Sequence, residues 1–165
     1  MGDFVKFSAS YAEYHHNKVN IFLHLIGIPS ITISLFAITN SLVLTTFQVK
    51  GIDIVVNPGL FLVLLMWVLY PTVEAFIGIF TASVYTYAYY YTLTGFDACW
   101  VEFATKYGCS WTPFQFMLYL HIAAWIMQFI GHGVFEGRRP ALMDNFFLTA
   151  VAPFFVFVEV FCTLG

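Results

Sequence analysis

Long stretches without any Asp, Glu, Lys or Arg limit what this chain can fold into. These uncharged runs cover residues 19–49, 54–73, 75–96, 107–135 and 145–158. Several of them reach the roughly 20 residues that a membrane-spanning helix requires. Only 9% of the 165 residues are charged and 61% are hydrophobic, which leaves too few charges to cover a water-soluble domain. We therefore predict an integral membrane protein.

The uncharged runs favour helices over barrel strands. Backbone polar groups in lipid must be bonded within the segment, and the runs lack the ten-residue polar alternation of a barrel strand. Residues 59–95 would form a helix of roughly 55 Å, too long for one span unless broken, and Pro71 is the natural break. The predicted fold is an all-α polytopic membrane helical bundle with about five membrane segments, four being the alternative. The segments are residues 19–46, 54–73, 75–96, 114–132 and 146–164, which follow a polar amino-terminal segment (1–18) in a single domain (1–165).

Basic residues suggest an orientation for these segments. With five spans and the amino terminus inside, four of the six basic residues share the cytoplasmic face, as Lys and Arg tend to do. They are Lys6, Lys18, Arg138 and Arg139. The polar amino-terminal segment and the loop after Phe135 would then meet on one membrane face. A net charge of −3 without a basic block argues against nucleic acid as a partner.

All five histidines fall in two short regions, one near the first predicted span and one on the fourth: His15, His16, His24, His121 and His132. On a helix, His121 and His132 point within about 20° of each other and lie roughly 16 Å apart, whereas His16 and His24 differ by about 80°. Imidazole suits Fe, Zn, Cu and Ni, and ionisable side chains in spans face protein or a wet cavity. We predict a buried metal site, the alternative being that the histidines hydrogen-bond helices together.

Polar residues that follow His132 add a second feature. In GHGVFEGRRPALMDN (131–145), Arg138 and Arg139 present guanidinium groups that match a carboxylate or phosphate. Their alternative role is that of snorkelling or positive-inside arginines. Glu136 and Asp144 could ligate a metal, pair with the arginines or, as we favour for Asp144, cap the final helix.

Three segments resemble the fungal 2-hydroxy-palmitic acid dioxygenase family. They are YHHNKVNIFLHLIGIP (14–29), HIAAWIMQFIGHGVFEGRRPALMDNF (121–146) and APFFVFVEV (152–160). The resemblance implies a multi-pass enzyme of the endoplasmic reticulum membrane that uses Fe²⁺ and O₂ to oxidise a 2-hydroxy long-chain fatty acid. The acid would lose one carbon, as in phytosphingosine breakdown.

The same resemblance implies roles for individual residues. The family's histidines fall on His16, His24, His121 and His132, with His15 as a further candidate, and these are the expected catalytic and metal-binding residues. Arg138 or Arg139 is expected to bind the substrate carboxylate.

Two alternatives belong to other functional classes. A histidine-lined transporter would use the histidines and Glu74 as a proton relay, although the two related halves common in transporters are not visible in the sequence. A noncatalytic membrane scaffold would use the histidines only to join helices. A third alternative keeps the metal and changes the reaction to that of a hydroxylase or hydrolase.

Overall fold

The fold is that of a computed structural model, which describes residues 17–137, 139 and 146–164. The described residues are mostly helical, with six α-helices, one π-helical turn and one β-hairpin. In chain order they are α1 (Lys18–Thr39), β1 (Thr45–Val49), β2 (Ile52–Val56), α2 (Pro58–Val73), α3 (Ala75–Thr94), α4 (Phe96–Tyr107), α5 (Pro113–Ile130), the π-helical turn (Gly131–Glu136) and α6 (Phe146–Leu164).

Helix α1 is shorter than the predicted segment 19–46 because a β-hairpin follows it. The helix ends at Thr39, and β1 pairs with β2 in antiparallel register. Lys50 and Gly51 both have positive φ, at 51° and 81°, which is the conformation that a two-residue hairpin turn requires. Residues 45, 46 and 54–56, placed in membrane segments by the sequence, lie in the two strands.

The break predicted near Pro71 lies at Glu74. Helix α2 ends at Val73, and Glu74 has extended backbone angles, with φ −150° and ψ 127°. The Glu74 carboxylate accepts a hydrogen bond of 2.6 Å from the backbone N–H of Ile77 and so caps α3. The two helices then pack closely, because a Cβ at Gly78 would overlap the backbone of Tyr70.

All of helix α4 except Phe96 lies between the predicted segments 75–96 and 114–132, where no helix was expected. It is short and contains Asp97, Glu102 and Lys106, so a search for uncharged runs does not find it. Its aromatic residues stack on the start of α5, with the ring centroids of Trp100 and Phe116 4.0 Å apart. Thr112 is the N-cap of helix α5 and forms a capping box with Gln115.

Helix α1 is the centre of the bundle, since it contacts α2, α3, α5, the π-helical turn and α6. Its largest contact is with α5. On another side, Phe36 is fully buried and lies edge-on to Tyr89 of α3, with ring centroids 5.6 Å apart. Tyr70 of α2 donates a hydrogen bond of 3.0 Å to the carbonyl of Ala150 in α6.

Two helices of the described chain are long and apolar enough to cross a membrane. They are α1, with a mean hydropathy of 2.1, and α5 together with the π-helical turn, with 1.3. Of the most apolar 18 residues of each helix, only 33% in α1 and 22% in α5 with the turn are buried inside the protein. The apolar helices Pro58–Val73 and Leu148–Cys162 are shorter. The prediction of about five membrane segments is therefore supported for two of them.

Candidate metal centre

Two of the predicted histidines meet where α1 and the π-helical turn pack together. His24 lies in the second turn of α1, and His132 lies in the π-helical turn that extends α5. Their Nε2 atoms are 3.0 Å apart, and the rings are nearly perpendicular, with an interplanar angle of 86°. Each residue is only 4% exposed. The structure therefore makes a buried imidazole pair from residues that are 108 positions apart in the chain.

The backbone of α1 fixes the tautomer of His24. Its Nδ1 lies 2.9 Å from the carbonyl oxygen of Asn20, and a carbonyl can only accept a hydrogen bond. Nδ1 therefore carries the hydrogen, and in the neutral ring the lone pair is on Nε2. That lone pair faces His132. A histidine whose second nitrogen donates to a carbonyl is the usual arrangement around a protein-bound metal.

Two glycines allow the π-helical turn to fit against α1. A Cβ at Gly131 would overlap Oδ1 of Asn20, so only glycine lets the two helices approach this closely. Gly137 ends the turn with a φ of 65°, and its N–H donates to the carbonyl of His132. Short π-helical segments are rare and occur often at functional sites. The widened turn thus places His132 against His24.

Glu136 connects the same end of α5 to the start of α1. Its Oε1 accepts hydrogen bonds from the backbone N–H of Asn17, at 2.7 Å, and from Nδ2 of Asn20, at 3.2 Å. Asn17, near the end of the amino-terminal segment, thus contacts the residue that directly follows Phe135. Because Asn20 also holds His24, Glu136 supports the imidazole pair indirectly.

His121 lies elsewhere in the α1–α5 contact. Trp125 donates to Nε2 of His121 at 3.0 Å, while Nδ1 of His121 lies 2.9 Å from Oγ of Ser34. Ser34 in turn donates to the carbonyl of Ser30 at 2.6 Å, so His121 Nδ1–H is the donor to Ser34. Nδ1 thus joins α5 to α1, whereas Nε2 is bonded within α5. The described structure does not bring His121 to the pair, because eleven residues of helix separate it from His132 by roughly 16 Å.

Gln128 lies on α5 between His121 and His132, and it is not among the site residues predicted from the sequence. It is 5% exposed, and its Nε2 donates to the carbonyl of Leu23 at 3.1 Å. A Cβ at Gly27 would overlap its Nε2. The signal in the sequence was an amide four residues before His132, on the face that also carries His121.

The remaining predicted residues fall into two groups. His15, His16, Arg138 and Asp144 lie outside the described residues. Arg139 is exposed, three residues beyond the end of the π-helical turn.

Two other polar residues have capping roles. Asn17, considered as a partner for an imidazole, caps α1 by accepting a hydrogen bond of 2.8 Å from the N–H of Val19. Glu74, named in the transporter alternative, caps α3.

The imidazole pair has two nitrogen donors of the type that divalent metals bind. An imidazole nitrogen lies about 2.1 Å from such a metal, whereas the 3.0 Å between the two Nε2 atoms is the distance of a hydrogen bond between the rings. Within residues 17–137, 139 and 146–164, no group of three or more His, Cys, Asp or Glu side chains is placed to hold a metal. The described donors thus fit a metal in part.

Comparison with known proteins assigns the chain to a family. The family model described as "2-hydroxy-palmitic acid dioxygenase Mpo1-like" matches residues 1–164. The 2-hydroxy-palmitic acid dioxygenase MPO1 of Saccharomyces cerevisiae is 30% identical over 157 residues, which cover 94% of this chain and 78% of the yeast protein. No solved structure matches the chain significantly. The match over nearly the whole length shows that the chain belongs to the Mpo1-like family.

Proposed function

We propose that this protein is an iron-dependent dioxygenase that shortens 2-hydroxy long-chain fatty acids by one carbon. The single observation that carries the proposal is the buried pair His24 and His132, whose Nε2 atoms are 3.0 Å apart. Membership of the Mpo1-like family and the name of the yeast relative support the reaction and the substrate class. In the overall balance, the 2-hydroxy acid and O₂ give the shorter acid, CO₂ and water.

His24 and His132 would hold the iron through Nε2. The Nδ1–H of His24 donates to the Asn20 carbonyl, which keeps Nε2 unprotonated and orients the ring toward a metal. Of the other ligands predicted from the sequence, both ring nitrogens of His121 have other partners. His16, with His15 as a further candidate, would therefore complete the site. Fe²⁺ held there would supply the electrons that make O₂ reactive. The low exposure of the pair excludes water from the reacting groups.

The substrate carboxylate needs a positive partner near the pair. Arg139 follows the π-helical turn by three residues and is exposed, so its guanidinium is available for a carboxylate at this end of the bundle. Arg138 remains the second predicted partner. The proposed site is therefore one iron held by the imidazole pair, with an arginine at the same end of the bundle.

The acyl chain would lie along the apolar exterior, in contact with the bilayer. Large side chains are exposed on the outer faces of the helices, with Val68 at 71%, Phe76 at 69% and Ile126 at 53%. An apolar surface of this kind is typical of a protein that contacts lipid. We place the protein in the endoplasmic reticulum membrane as a multi-pass protein, and the substrate would then enter from the lipid.

The test is to purify the full chain anaerobically in detergent, measure bound metal, and then add O₂ with 2-hydroxypalmitate. We expect about one iron per chain and formation of the acid one carbon shorter. His132→Ala is expected to lose both iron and turnover. Val134→Ala is the matched control, because it removes an apolar side chain that is 71% exposed in the same turn.

Each other outcome points to a specific alternative. Iron without product would retain the metal site and reopen the reaction to a hydroxylase or hydrolase. Absence of both metal and turnover after reconstitution with iron would favour the transporter or the scaffold. Full activity in folded His132→Ala would contradict the proposed site.

A further inference from the structure

The amide of Gln128 is held in one orientation within the contact between α1 and α5. Its Nε2 donates to the carbonyl of Leu23 at 3.1 Å. Gly27 leaves the space that this amide occupies, since a Cβ there would overlap Nε2. The other end of the amide, Oε1, therefore has a fixed position in a residue that is only 5% exposed.

Oε1 of Gln128 is buried and has no hydrogen-bond partner in the part of the chain that the structure describes. A buried amide oxygen without a partner is costly and rare in native proteins. Joining α1 to α5 requires only Nε2, so helix packing gives no reason for an acceptor at this position. A bound ligand with a hydrogen-bond donor can therefore supply the partner that Oε1 of Gln128 does not find in the described residues.

Asn57 shows what a purely structural amide looks like in the same protein. Asn57 is fully buried, and its Oδ1 accepts hydrogen bonds from the N–H of Leu60, at 2.9 Å, and the hydroxyl of Tyr89, at 3.2 Å. Its Nδ2 donates to Oδ1 of Asn40 at 3.1 Å. Both ends of that amide are used within the protein. Gln128 differs because only its donor end is used.

The position of Gln128 relates it to the imidazole pair. It lies four residues before His132, roughly 6 Å along the helix axis. Its partner Leu23 is adjacent to His24, and Gly27 is three residues after His24. On both helices, the amide thus lies about one turn from the pair.

We propose that Oε1 of Gln128 accepts a hydrogen bond from the 2-hydroxyl of the bound fatty acid and so selects hydroxylated over plain fatty acids. The inference rests on the proposed function for its choice of ligand. A hydroxyl is both donor and acceptor, whereas a methylene at the same carbon offers no donor. A site with a buried acceptor discriminates against the ligand that leaves this acceptor unpaired.

The test measures binding rather than turnover, with the iron-loaded full chain in detergent without O₂. Dissociation constants for 2-hydroxypalmitate and palmitate are compared in the wild type, in Gln128→Met and in Gln48→Met. Gln48 is exposed on β1, so the control carries the same substitution outside the bundle. We expect the wild type and the control to prefer the hydroxylated acid, and Gln128→Met to lose about fivefold of that preference.

Several outcomes would overturn the assignment. They are equal binding of the two acids by the wild type, an unchanged preference in Gln128→Met, or an equal loss of affinity for both acids. The third outcome would indicate a water molecule or a general packing role. If Gln128→Met does not fold, Gln128→Glu keeps the length and an acceptor oxygen, and loss of the preference in that variant would also overturn it.

The binding test separates this inference from the proposed function. The protein could prefer 2-hydroxypalmitate through Gln128 and still not shorten it. That result would support the Gln128 contact and contradict the proposed reaction. Turnover with a preference that is independent of Gln128 would contradict the contact alone. Failure to bind either acid would overturn both.

Discussion

Gly131 occupies the point where the π-helical turn and α1 approach most closely, and Gly131→Ala tests that contact. The added Cβ would overlap Oδ1 of Asn20 and lie 3.6 Å from Cε1 of His24. Asn20 is fully buried, so its side chain has no solvent to move into. Displacing it would also weaken the bond of 3.2 Å from its Nδ2 to Glu136.

The expected magnitude follows from opposing effects. Alanine favours a helix over glycine by about 1 kcal/mol. Overpacking costs about 1–3 kcal/mol, and losing a hydrogen bond to a charged group costs about 1.5–3 kcal/mol. The net destabilisation is therefore about 1.5–5 kcal/mol, or a Tm lower by about 3–20 °C for a chain of this length.

Gly133→Ala is the matched control for this prediction. Gly133 lies in the same π-helical turn, and a Cβ there would meet no atom within 4 Å. Its Tm is expected to equal that of the wild type or to exceed it by up to about 4 °C, since only helix propensity changes. Thermal unfolding of the detergent-solubilised variants, followed by circular dichroism, measures both. Equal Tm values for Gly131→Ala and Gly133→Ala would refute the reasoning.

Two further substitutions test other contacts. His121→Ala is expected to lower stability by about 1–3 kcal/mol, because Trp125 and Ser34 lose their shared partner, while iron content stays at the wild-type level; loss of iron would instead place His121 in the metal site. Gly78→Ala is expected to cost about 3 kcal/mol, because the added Cβ would meet the backbone of Tyr70, which cannot rotate away as a side chain can. A Tm equal to that of the wild type would contradict the close packing of α2 and α3.

Much of the helical framework could be predicted from composition and chain breaks alone. Uncharged apolar runs indicated the positions of α1, α2, α3, α5 and α6. The break near Pro71 was placed within three residues of Glu74, because proline and a carboxylate both disfavour a continuous helix in an apolar environment. The hairpin of β1 and β2 was missed, since Lys50 and Asp53 are its only charged residues and its other residues continue the uncharged runs of the helices on either side.

The histidines show where sequence reasoning reached its limit. Helical periodicity placed His121 and His132 on one face of a helix, which is a local property of the chain. Helical periodicity does not predict which residue of α1 contacts His121 or which contacts His132. Packing decided that His132 faces His24 and that His121 faces Ser34.

The sequence by itself thus determined a mostly helical, apolar chain, its two histidine regions and the likeness to a dioxygenase family. These properties depend on local composition and spacing. Tertiary structure alone decided the imidazole pair, the support from Asn20 and Glu136, and the orientation of Gln128. Each of these depends on two helices that are distant in the chain and on how closely glycine lets them approach.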